Sequence, residues 1–423
     1  MKSSECHGFY KWSIDERLRF LQEFSELTDE EIALLRKEGG LSLDRAERMI
    51  ENVVGFMPIP LGIAVNFLIN NKDYLIPMAI EEPSVVAAAS NAAKMARARG
   101  GFFTESTPPV MIGQIQVVGS PDPERARREV LLAKEEILRK ANEQDPVLVG
   151  LGGGAVDLEA RVIQTGRGPM VVIHLLIDVR DAMGANVINT MCESVSPLIE
   201  RITGGRTLLR IVSNLAIYRL ARARAVFAKE ALGGGEVVEA ILDAYEFAAS
   251  DIFRCVTHNK GIMNGVTALA LATANDTRAI EAGAHAYAAM GGTYRPLSRW
   301  SKTEDGDLLG EIELPVAAGV VGGATAVHPV ARVCRKILGV GSARELAEVM
   351  AAVGLANNLA AMRALATEGI QRGHMKLHAR NIAMMAGAEG DLVDLVAERM
   401  IAERKIRVDR AREILEEIRR GQG

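Results

Sequence analysis

The sequence is poor in aromatic residues and cysteine, and it contains no long apolar run. Phe, Trp and Tyr make up only 4% of the 423 residues, so close-packed Ala and Gly helices are expected. The four cysteines lie far apart, in neither a metal nor a disulfide spacing, which indicates a reducing compartment. No segment approaches the roughly 20 apolar residues of a membrane span, and the first residues have no signal-peptide core. We therefore expect a cytoplasmic protein without a membrane domain.

The charge balance is close to neutral, with a formal net charge of −4. This value argues against a nucleic-acid partner but is compatible with a local basic pocket for phosphates. A chain of this length exceeds what one hydrophobic core usually covers, so two or three domains are expected.

Residues 110–213 have the pattern of a small domain. The predicted strands are 110–118, 156–162, 170–177 and 208–212, and the predicted helices are 122–139 and about 20 residues from Asp181. This β-α-β-β-α-β order is that of the ferredoxin-like, or split βαβ, unit. We therefore predict an α+β protein in which this unit is inserted into a large, mainly helical domain of residues 1–109 and 214–369.

The remainder of the large domain and the tail are predicted to be mainly helical. Residues 214–257 are rich in Ala and Arg, a composition typical of helix. The chain ends in two charged amphipathic helices, 391–403 and 408–419, with no core of their own. Because such helices must dock on something, residues 370–423 are expected to form a C-terminal helical flap that acts as a lid.

A glycine-rich run in the small domain matches a dinucleotide fingerprint but lacks its context. The run GLGGGA at 150–155 fits G-x-G-x-x-A, yet that fingerprint must open a helix. The residues after Ala155 alternate between apolar and charged, which predicts a strand. We therefore do not expect a Rossmann fold.

The junction DAMGAN at 181–186 is a candidate nucleotide site. An aspartate and a glycine at a helix N-terminus suit ribose hydroxyls and a pyrophosphate. The alternative is an ordinary helix start with Asp181 as the cap.

Lys260 and Glu82 are candidates for charge and proton chemistry. Lys260 lies between small polar residues and a glycine, and Asp276 follows in an alanine-rich helical segment. Such a lysine can donate to a developing oxyanion, and a carboxylate can tune it; the alternative is a solvated lysine at a helix start. Glu82 precedes a predicted helix at 85–97, and it is either a helix-start acid or a proton donor.

The remaining polar candidates lie near this stretch and in the tail. Arg254 is well placed for a carboxylate or phosphate. Cys255 and His258 are three residues apart, which is not in itself evidence for a thiol nucleophile and its base. His374 and His378 would share a helix face, but without an obvious third ligand no metal is predicted. A single proton-transferring His in the tail is the preferred interpretation.

Five motifs occur along the chain in a recognisable order: ENVVG at 51–55, EEPSVVAAAS at 81–90, DAMGAN at 181–186, HNKGIMNG at 258–265 and GHM at 373–375. Together they resemble class II 3-hydroxy-3-methylglutaryl-coenzyme A (HMG-CoA) reductase, from about residue 9 to the C-terminus. The resemblance implies a two-step hydride reduction of HMG-CoA to mevalonate through a mevaldyl-CoA hemithioacetal, with release of CoA, in the mevalonate pathway to isoprenoids. The same enzyme working oxidatively and a non-catalytic acyl-CoA or nucleotide-binding protein are the alternatives.

The resemblance also implies roles for individual residues. The implied catalytic residues are Glu82, Lys260, Asp276 and His374. The implied substrate-binding residues are Ser84, Arg254 and Asn264. The implied cofactor-binding residues are Asp181, Met183, Gly184, Asn186 and Asn214, so the small domain would bind the nucleotide without a Rossmann fold.

Two further expectations concern the cofactor and the assembly. Asp145 precedes an apolar run, and a carboxylate near the adenosine ribose would repel a 2′-phosphate, so NAD(H) is expected over NADP(H). The resemblance implies an obligate homodimer with active sites at the interface, and it is compatible with a higher assembly of dimers. In one straight helix Lys260 and Asp276 would stand roughly 24 Å apart. They should therefore meet only through a sharp bend or across the dimer.

Overall fold

The structure is a computed structural model that describes residues 2–37, 40–367 and 370–421, without the side chains of 370–377 and 421. The strands are β1 (Leu61–Ile69), β2 (Lys72–Ala79), β3 (Phe103–Ser106), β4 (Val110–Val118), β5 (Gly154–Thr165), β6 (Gly168–Asp178), β7 (Arg206–Ser213), β8 (Leu220–Phe227), β9 (Ser298–Lys302) and β10 (Leu308–Pro315). The helices are α1 (Ile14–Ser25), α2 (Asp29–Arg36), α3 (Leu43–Glu47), α4 (Val85–Arg97), α5 (Pro123–Leu132), α6 (Lys134–Asn142), α7 (Pro146–Gly150), α8 (Ala185–Thr203), α9 (Lys229–Leu232), α10 (Gly235–Ser250), α11 (Ile252–Ala272), α12 (Thr277–Ala289), α13 (Gly323–Val327), α14 (Pro329–Leu338), α15 (Ala343–Ala366), α16 (Ile370–Met385), α17 (Asp391–Ala402) and α18 (Val408–Gly421).

Three short helices near the N-terminus begin where side chains can cap them. Ser13 and Thr28 each form a reciprocal capping box, with Glu16 and Glu31 respectively. Ser42 caps α3 by accepting from a backbone N–H of its first turn. Apolar side chains of α1 then pack with β1, β2 and α14 in one cluster, which fixes this segment on the main body.

The largest apolar core is built around α11 and α15, with α4 and strands of two sheets packed against them. The expectation that no segment approaches a membrane span is wrong for α15, which could cross a membrane by length and composition alone. However, 67% of its most apolar window is buried inside the protein. The burial of α15 in this core accounts for its apolar composition.

A four-stranded antiparallel sheet of order β3-β8-β10-β9 packs against this core. The prediction that residues 214–257 are helical is wrong for β8. The alanine side chains of β8 are buried, while Arg222 is half-buried and Arg224 exposed on the other face. Ala and Arg favour helix intrinsically, but pairing with two neighbouring strands overrides that weak local preference.

The small unit contains an antiparallel sheet of order β5-β6-β4-β7, with α5, α6 and α8 packed in its core. This is the ferredoxin-like order, so the predicted fold class is confirmed. The predicted helix 122–139 is interrupted at Ala133, which separates α5 from α6. The glycine-rich run leads into β5, and the rejection of a Rossmann fold is therefore correct.

The helices α16, α17 and α18 pack together around their own small core. The expectation that the terminal helices lack a core is wrong, because Ala379 and Ala383 of α16 complete one with Val396 and Ile414. The domain boundaries at 109/110, 213/214 and 369/370 remain a proposal, which is supported by the separate cores of the three units.

Candidate active site

The turn between β2 and α4 carries Glu82 and Ser84. Ser84 is the N-cap of α4, and its backbone is left-handed, with φ 74°. This conformation costs about 1–3 kcal/mol for a residue other than glycine and is concentrated at functional sites. The Ser84 side chain makes no cap hydrogen bond, so its hydroxyl is not committed to the helix.

Lys260 lies in the middle of α11, not at a helix start. Its Nζ lies 2.6 Å from Glu82 Oε2, and the two side chains are 55% and 35% exposed. One turn further along α11, Asn264 Nδ2 donates to the same Glu82 oxygen over 3.4 Å. The helical spacing of Lys260 and Asn264 therefore directs two donors to one carboxylate.

A cleft of about 360 Å³ contains this pair. It is lined by the predicted catalytic and substrate-binding residues Glu82, Ser84, Arg254, Lys260 and Asn264. Arg254 belongs to the first turn of α11, which Asp251 caps. These five predicted residues alone bring together two cations, a carboxylate, a hydroxyl and an amide, a set suited to a ligand with carboxylate and carbonyl groups.

The far wall of the cleft is formed by α15, and no residue of α15 was predicted to belong to the site. Asn357 is 5% exposed, and its Nδ2 donates to the carbonyl oxygen of Val85 at the start of α4. Its Oδ1 is buried without a hydrogen-bond partner. The signal in the sequence was the pair Asn357-Asn358 inside the otherwise apolar stretch 349–362 of α15, because buried amides are normally satisfied and so indicate a specific contact.

Asp276 lies apart from this cleft. It caps α12, accepts from the backbone N–H of Arg278 and Ala279, and pairs with the Arg278 side chain at 3.1 Å. Since α11 is continuous, the stretch from Lys260 to Ala272 alone spans about 18 Å. The proposed fold-back that would join Lys260 and Asp276 within one chain is therefore wrong, and contact across a dimer remains.

The predicted cofactor residues lie at one end of the small sheet. The register pairs Gly154, at the start of β5, with Asp178, at the end of β6. It also pairs β4 near its start with Ser213 at the end of β7. Of the predicted residues, Asp145 lies before β5 and Asn214 directly follows β7. Asp181, Met183, Gly184 and Asn186 follow β6.

The junction before α8 differs from its predicted form. The helix begins at Ala185 with Gly184 as N-cap, and no side chain caps it. Asp181 is not the cap; its Oδ1 instead accepts from the backbone N–H of Ala343 at the start of α15. A Cβ on Gly184 would lie 2.5 Å from Val179 Cγ1, so glycine is required there. Free N–H groups at the start of this long helix fit the pyrophosphate of a dinucleotide.

Asp145 caps α7, and its Oδ1 accepts from the Leu148 backbone N–H at 2.8 Å. Its side chain is half-buried at the start of α7, the short helix that leads into the glycine-rich run. Asn214 is exposed immediately after β7. His374 belongs to α16, but its side chain lies outside the described residues, so its role remains a prediction.

Behind Lys260, α11 carries a buried polar network. His258 is 1% exposed, its Nε2 lies 2.7 Å from Ser298 Oγ, and Ser298 donates to Asn358. Burial, with a smaller effect of Arg254, lowers the pKa of His258 to about 4. Burial likewise raises the pKa of the Cys255 thiol to about 11. Cys255 therefore remains a thiol at neutral pH, which disfavours a nucleophilic Cys-His pair.

Comparison with known proteins identifies relatives over nearly the whole chain. A family model described as hydroxymethylglutaryl-coenzyme A reductase matches residues 13–379. The 3-hydroxy-3-methylglutaryl-coenzyme A reductase of Archaeoglobus fulgidus is 63% identical over 417 residues, which cover 99% of this chain and 95% of the relative. A probable reductase of the same description from Borreliella burgdorferi is 36% identical over 365 residues, 84% of this chain and 82% of the relative.

Solved structures agree with the sequence relatives. The reductase from Streptococcus pneumoniae superposes with a TM-score of 0.83 at 39% identity, covering 97% of this chain and 99% of that chain. A class II reductase from the same species, bound to NADPH in open conformations, superposes with a TM-score of 0.82. These findings confirm the resemblance seen in the motifs. The chain belongs to the hydroxymethylglutaryl-coenzyme A reductase family.

Proposed function

We propose that this protein reduces HMG-CoA to mevalonate, with two nicotinamide hydrides and two protons consumed and CoA released. The observation that carries the proposal is the 2.6 Å contact of Lys260 with Glu82 in a cleft that also contains Arg254, Ser84 and Asn264. This geometry supports a carboxylate anchor at one end and a charged donor for a carbonyl oxygen at the other.

Lys260 and Glu82 serve the first reduction. When bound, the nicotinamide supplies a hydride to the thioester carbon, and negative charge develops on the carbonyl oxygen. The Lys260 ammonium stabilises this charge, and Glu82, after taking up a proton from solvent, supplies it to the same oxygen to give the hemithioacetal. Arg254 holds the distal carboxylate of the substrate.

His374 serves the departure of CoA. Collapse of the hemithioacetal breaks the C–S bond, returns the hydroxyl proton to the Glu82 carboxylate and leaves a thiolate, which a protonated His374 converts to the thiol. The aldehyde stays in the cleft for the second reduction, in which Lys260 and Glu82 repeat their roles. Because oxidised cofactor must leave between the two reductions, α16–α18 act as a flap that opens without releasing the aldehyde.

Asp276 reaches Lys260 across a homodimer. In its own chain Asp276 lies on the cofactor side, since the neighbouring Asn275 Oδ1 accepts from Gly319 N at 2.7 Å and Gly319 packs against Met183. One chain therefore carries two half-sites, one with Lys260 and one with Asp276. A two-fold axis would join the first half-site of each chain to the second half-site of the other.

Exposed apolar side chains support this assembly. Val54 and Met57, in the extended segment after α3, are almost fully exposed, as is Phe253 near the cleft. Phe56 and Ile59 of the same segment are exposed as well, and a cluster of exposed apolar side chains is typical of a contact surface. We propose that these surfaces are covered in a homodimer whose two active sites lie at the interface.

The cofactor is proposed to be NAD(H) in preference to NADP(H). Asp145 is half-buried at the start of α7, which leads into the glycine-rich run and β5 at the proposed cofactor end of the small sheet. A carboxylate there would accept ribose hydroxyls and repel a 2′-phosphate. The Streptococcus pneumoniae relative is bound to NADPH, so this preference would distinguish the two proteins.

The proposed function is tested by following HMG-CoA-dependent oxidation of NADH in the purified protein and in Lys260→Ala. We expect turnover in the wild type and a loss of at least about a hundredfold in kcat for the variant, because a charged donor to the oxyanion is removed. Unchanged turnover in Lys260→Ala would refute the role of the lysine. Absence of turnover in the wild type would favour a non-catalytic binding protein. The reverse direction is measured as NADH formation when the purified protein is supplied with mevalonate, CoA and NAD⁺.

A further inference from the structure

Arg219 is a buried cation that contacts the turn before α8. It lies immediately before β8 and is 4% exposed. Its Nη1 donates to the carbonyl oxygens of Ala182 at 3.1 Å and Met183 at 3.3 Å, and its Nη2 donates to the carbonyl oxygen of Ala318. One guanidinium thus holds the turn before α8 and the loop after β10 together.

The charge of Arg219 meets these carbonyl groups directly, and the carboxylates of Asp178 and Asp181 act on it only at longer range. Among the described residues no carboxylate forms an ion pair with it. Burial lowers its pKa to about 10, against the opposing influence of Asp178 and Asp181, so it remains charged at neutral pH. Burying a charge without an ion-pair partner is costly. Main-chain carbonyls therefore fix both loops through strong, charge-assisted hydrogen bonds.

Gly319 reinforces the same contact from the other side. A Cβ at this position would lie 2.5 Å from Met183 N, so the two loops approach too closely for any side chain. Gly319 N also donates to Asn275 Oδ1 at 2.7 Å, next to Asp276. The loop after β10 consequently links the cofactor turn at 182–184 to the helix start that carries Asp276.

We propose that Arg219 is a positioning residue, assisted by Gly319, which holds the turn at 182–184 in the form that receives the nicotinamide cofactor. The inference rests on the proposed function, since the turn precedes the proposed pyrophosphate site at the start of α8. Arg219 itself does not touch the reacting atoms. It acts through the backbone of Ala182 and Met183 and, through Gly319, on the placement of Asp276.

The test compares the affinities of full-length variants for NADH and for CoA by isothermal titration calorimetry. Arg219→Lys replaces the planar guanidinium, which binds several carbonyl groups at once, with a single ammonium. In Gly319→Ala the new methyl group pushes the loop after β10 away from the turn at 182–184. We expect Kd for NADH to rise between about tenfold and a hundredfold in both variants, because small displacements of a binding turn have effects of this size. Kd for CoA should stay within about twofold of the wild type, which also shows that the variants are folded.

Arg97→Lys is the matched control. Arg97 is also mostly buried and donates to the backbone of Asn66 and to Asp73, neither of which belongs to the turn at 182–184. A purely structural role predicts that Arg219→Lys, like Arg97→Lys, lowers thermal stability and leaves the ratio of the two Kd values unchanged. That result, or wild-type affinity for NADH in Gly319→Ala, would overturn the inference alone. A wild-type protein that binds no NADH would overturn the proposed function as well.

Discussion

At the scale of single residues, the candidate site relies on short helical spacings and on caps. Lys260 and Asn264 reach one carboxylate because they are one turn apart on α11. Asp145 lies at the start of α7, shortly before the glycine-rich run, because it caps that helix. A substitution can remove the negative charge of Asp145 and keep its role as a cap. The proposed cofactor preference can therefore be tested by changing one side chain.

Asp145→Asn should weaken the preference for NADH. Asparagine is as good an N-cap as aspartate, so α7 should be retained while the negative charge is lost. We expect the wild type to have a higher kcat/KM with NADH than with NADPH, and the variant to use NADPH about tenfold better than the wild type does. Steady-state kinetics with both cofactors measure the change.

Asp122→Asn is a matched control for this substitution, because Asp122 caps α5 in the same way and also precedes a proline. It should leave both cofactor efficiencies unchanged. A wild type that prefers NADPH, or an Asp145→Asn variant with an unaltered ratio, would disprove the assignment.

At the scale of the element, α11 and α15 form the two walls of the cleft, and glycine sets their separation. A Cβ on Gly265 would meet Asn357 Oδ1 at 2.4 Å and Val353 Cγ1 at 2.9 Å. A Cβ on Gly261, one turn earlier on the same helix, would meet nothing within 4 Å. The packing of α15 therefore excludes a side chain at Gly265, whereas nothing in the structure excludes one at Gly261.

Gly265→Ala should destabilise the protein by about 1–3 kcal/mol, because the methyl group overpacks the contact between the helices. Gly261→Ala should instead stabilise it by up to about 1 kcal/mol, since alanine favours a helix interior. Urea unfolding of the two variants beside the wild type measures both effects. Equal behaviour of the two variants would show that the contact of α11 with α15 does not depend on Gly265.

Elements with a local signal were predictable from sequence, and elements specified by distant partners were not. The limits of α4 and β4 followed from their apolar patterns and flanking residues. The strand β8 was missed because its Ala and Arg residues favour helix and only its pairing with β3 and β10 makes it a strand. The sequence suggested that Lys260 lies at a helix start, but it lies in the middle of α11. The helix begins about two turns before the motif at 258–265, where Asp251 caps it.

The same division holds for the candidate site. Glu82, Ser84, Arg254, Lys260 and Asn264 were predicted by motif, and the structure brings them to one cleft. Asn357 was missed because its contribution depends on the packing of α15 against the start of α4, which one sequence does not reveal. The separation of Lys260 and Asp276 followed from helical rise alone.

At the scale of the whole molecule, we propose that the active site is assembled from two chains. Lys260 and Asp276 belong to separate half-sites of one protomer, so each complete site would contain one residue from each subunit. Two inactive variants should then restore activity when they form a mixed dimer.

Lys260→Ala and Asp276→Ala, each inactive alone, should regain activity when co-expressed in equal amounts. A mixed dimer has one site with both substitutions and one site with neither. With random pairing, half of the dimers are mixed, so about a quarter of the wild-type activity is expected. HMG-CoA-dependent NADH oxidation of the co-purified mixture measures it, with separately purified variants that are unable to exchange subunits as the control. A mixture as inactive as its components would place Lys260 and Asp276 in the same chain's site.

The separate apolar cores of the three units also affect how the molecule responds to heat. Units that bury their side chains independently need not melt in one cooperative transition, so a single midpoint would not describe the chain. A ligand that binds one unit stabilises that unit by mass action and leaves the others nearly unchanged. A calorimetric scan would therefore show which unit each ligand engages, and NADH should raise the peak of the small unit, which carries the proposed cofactor residues.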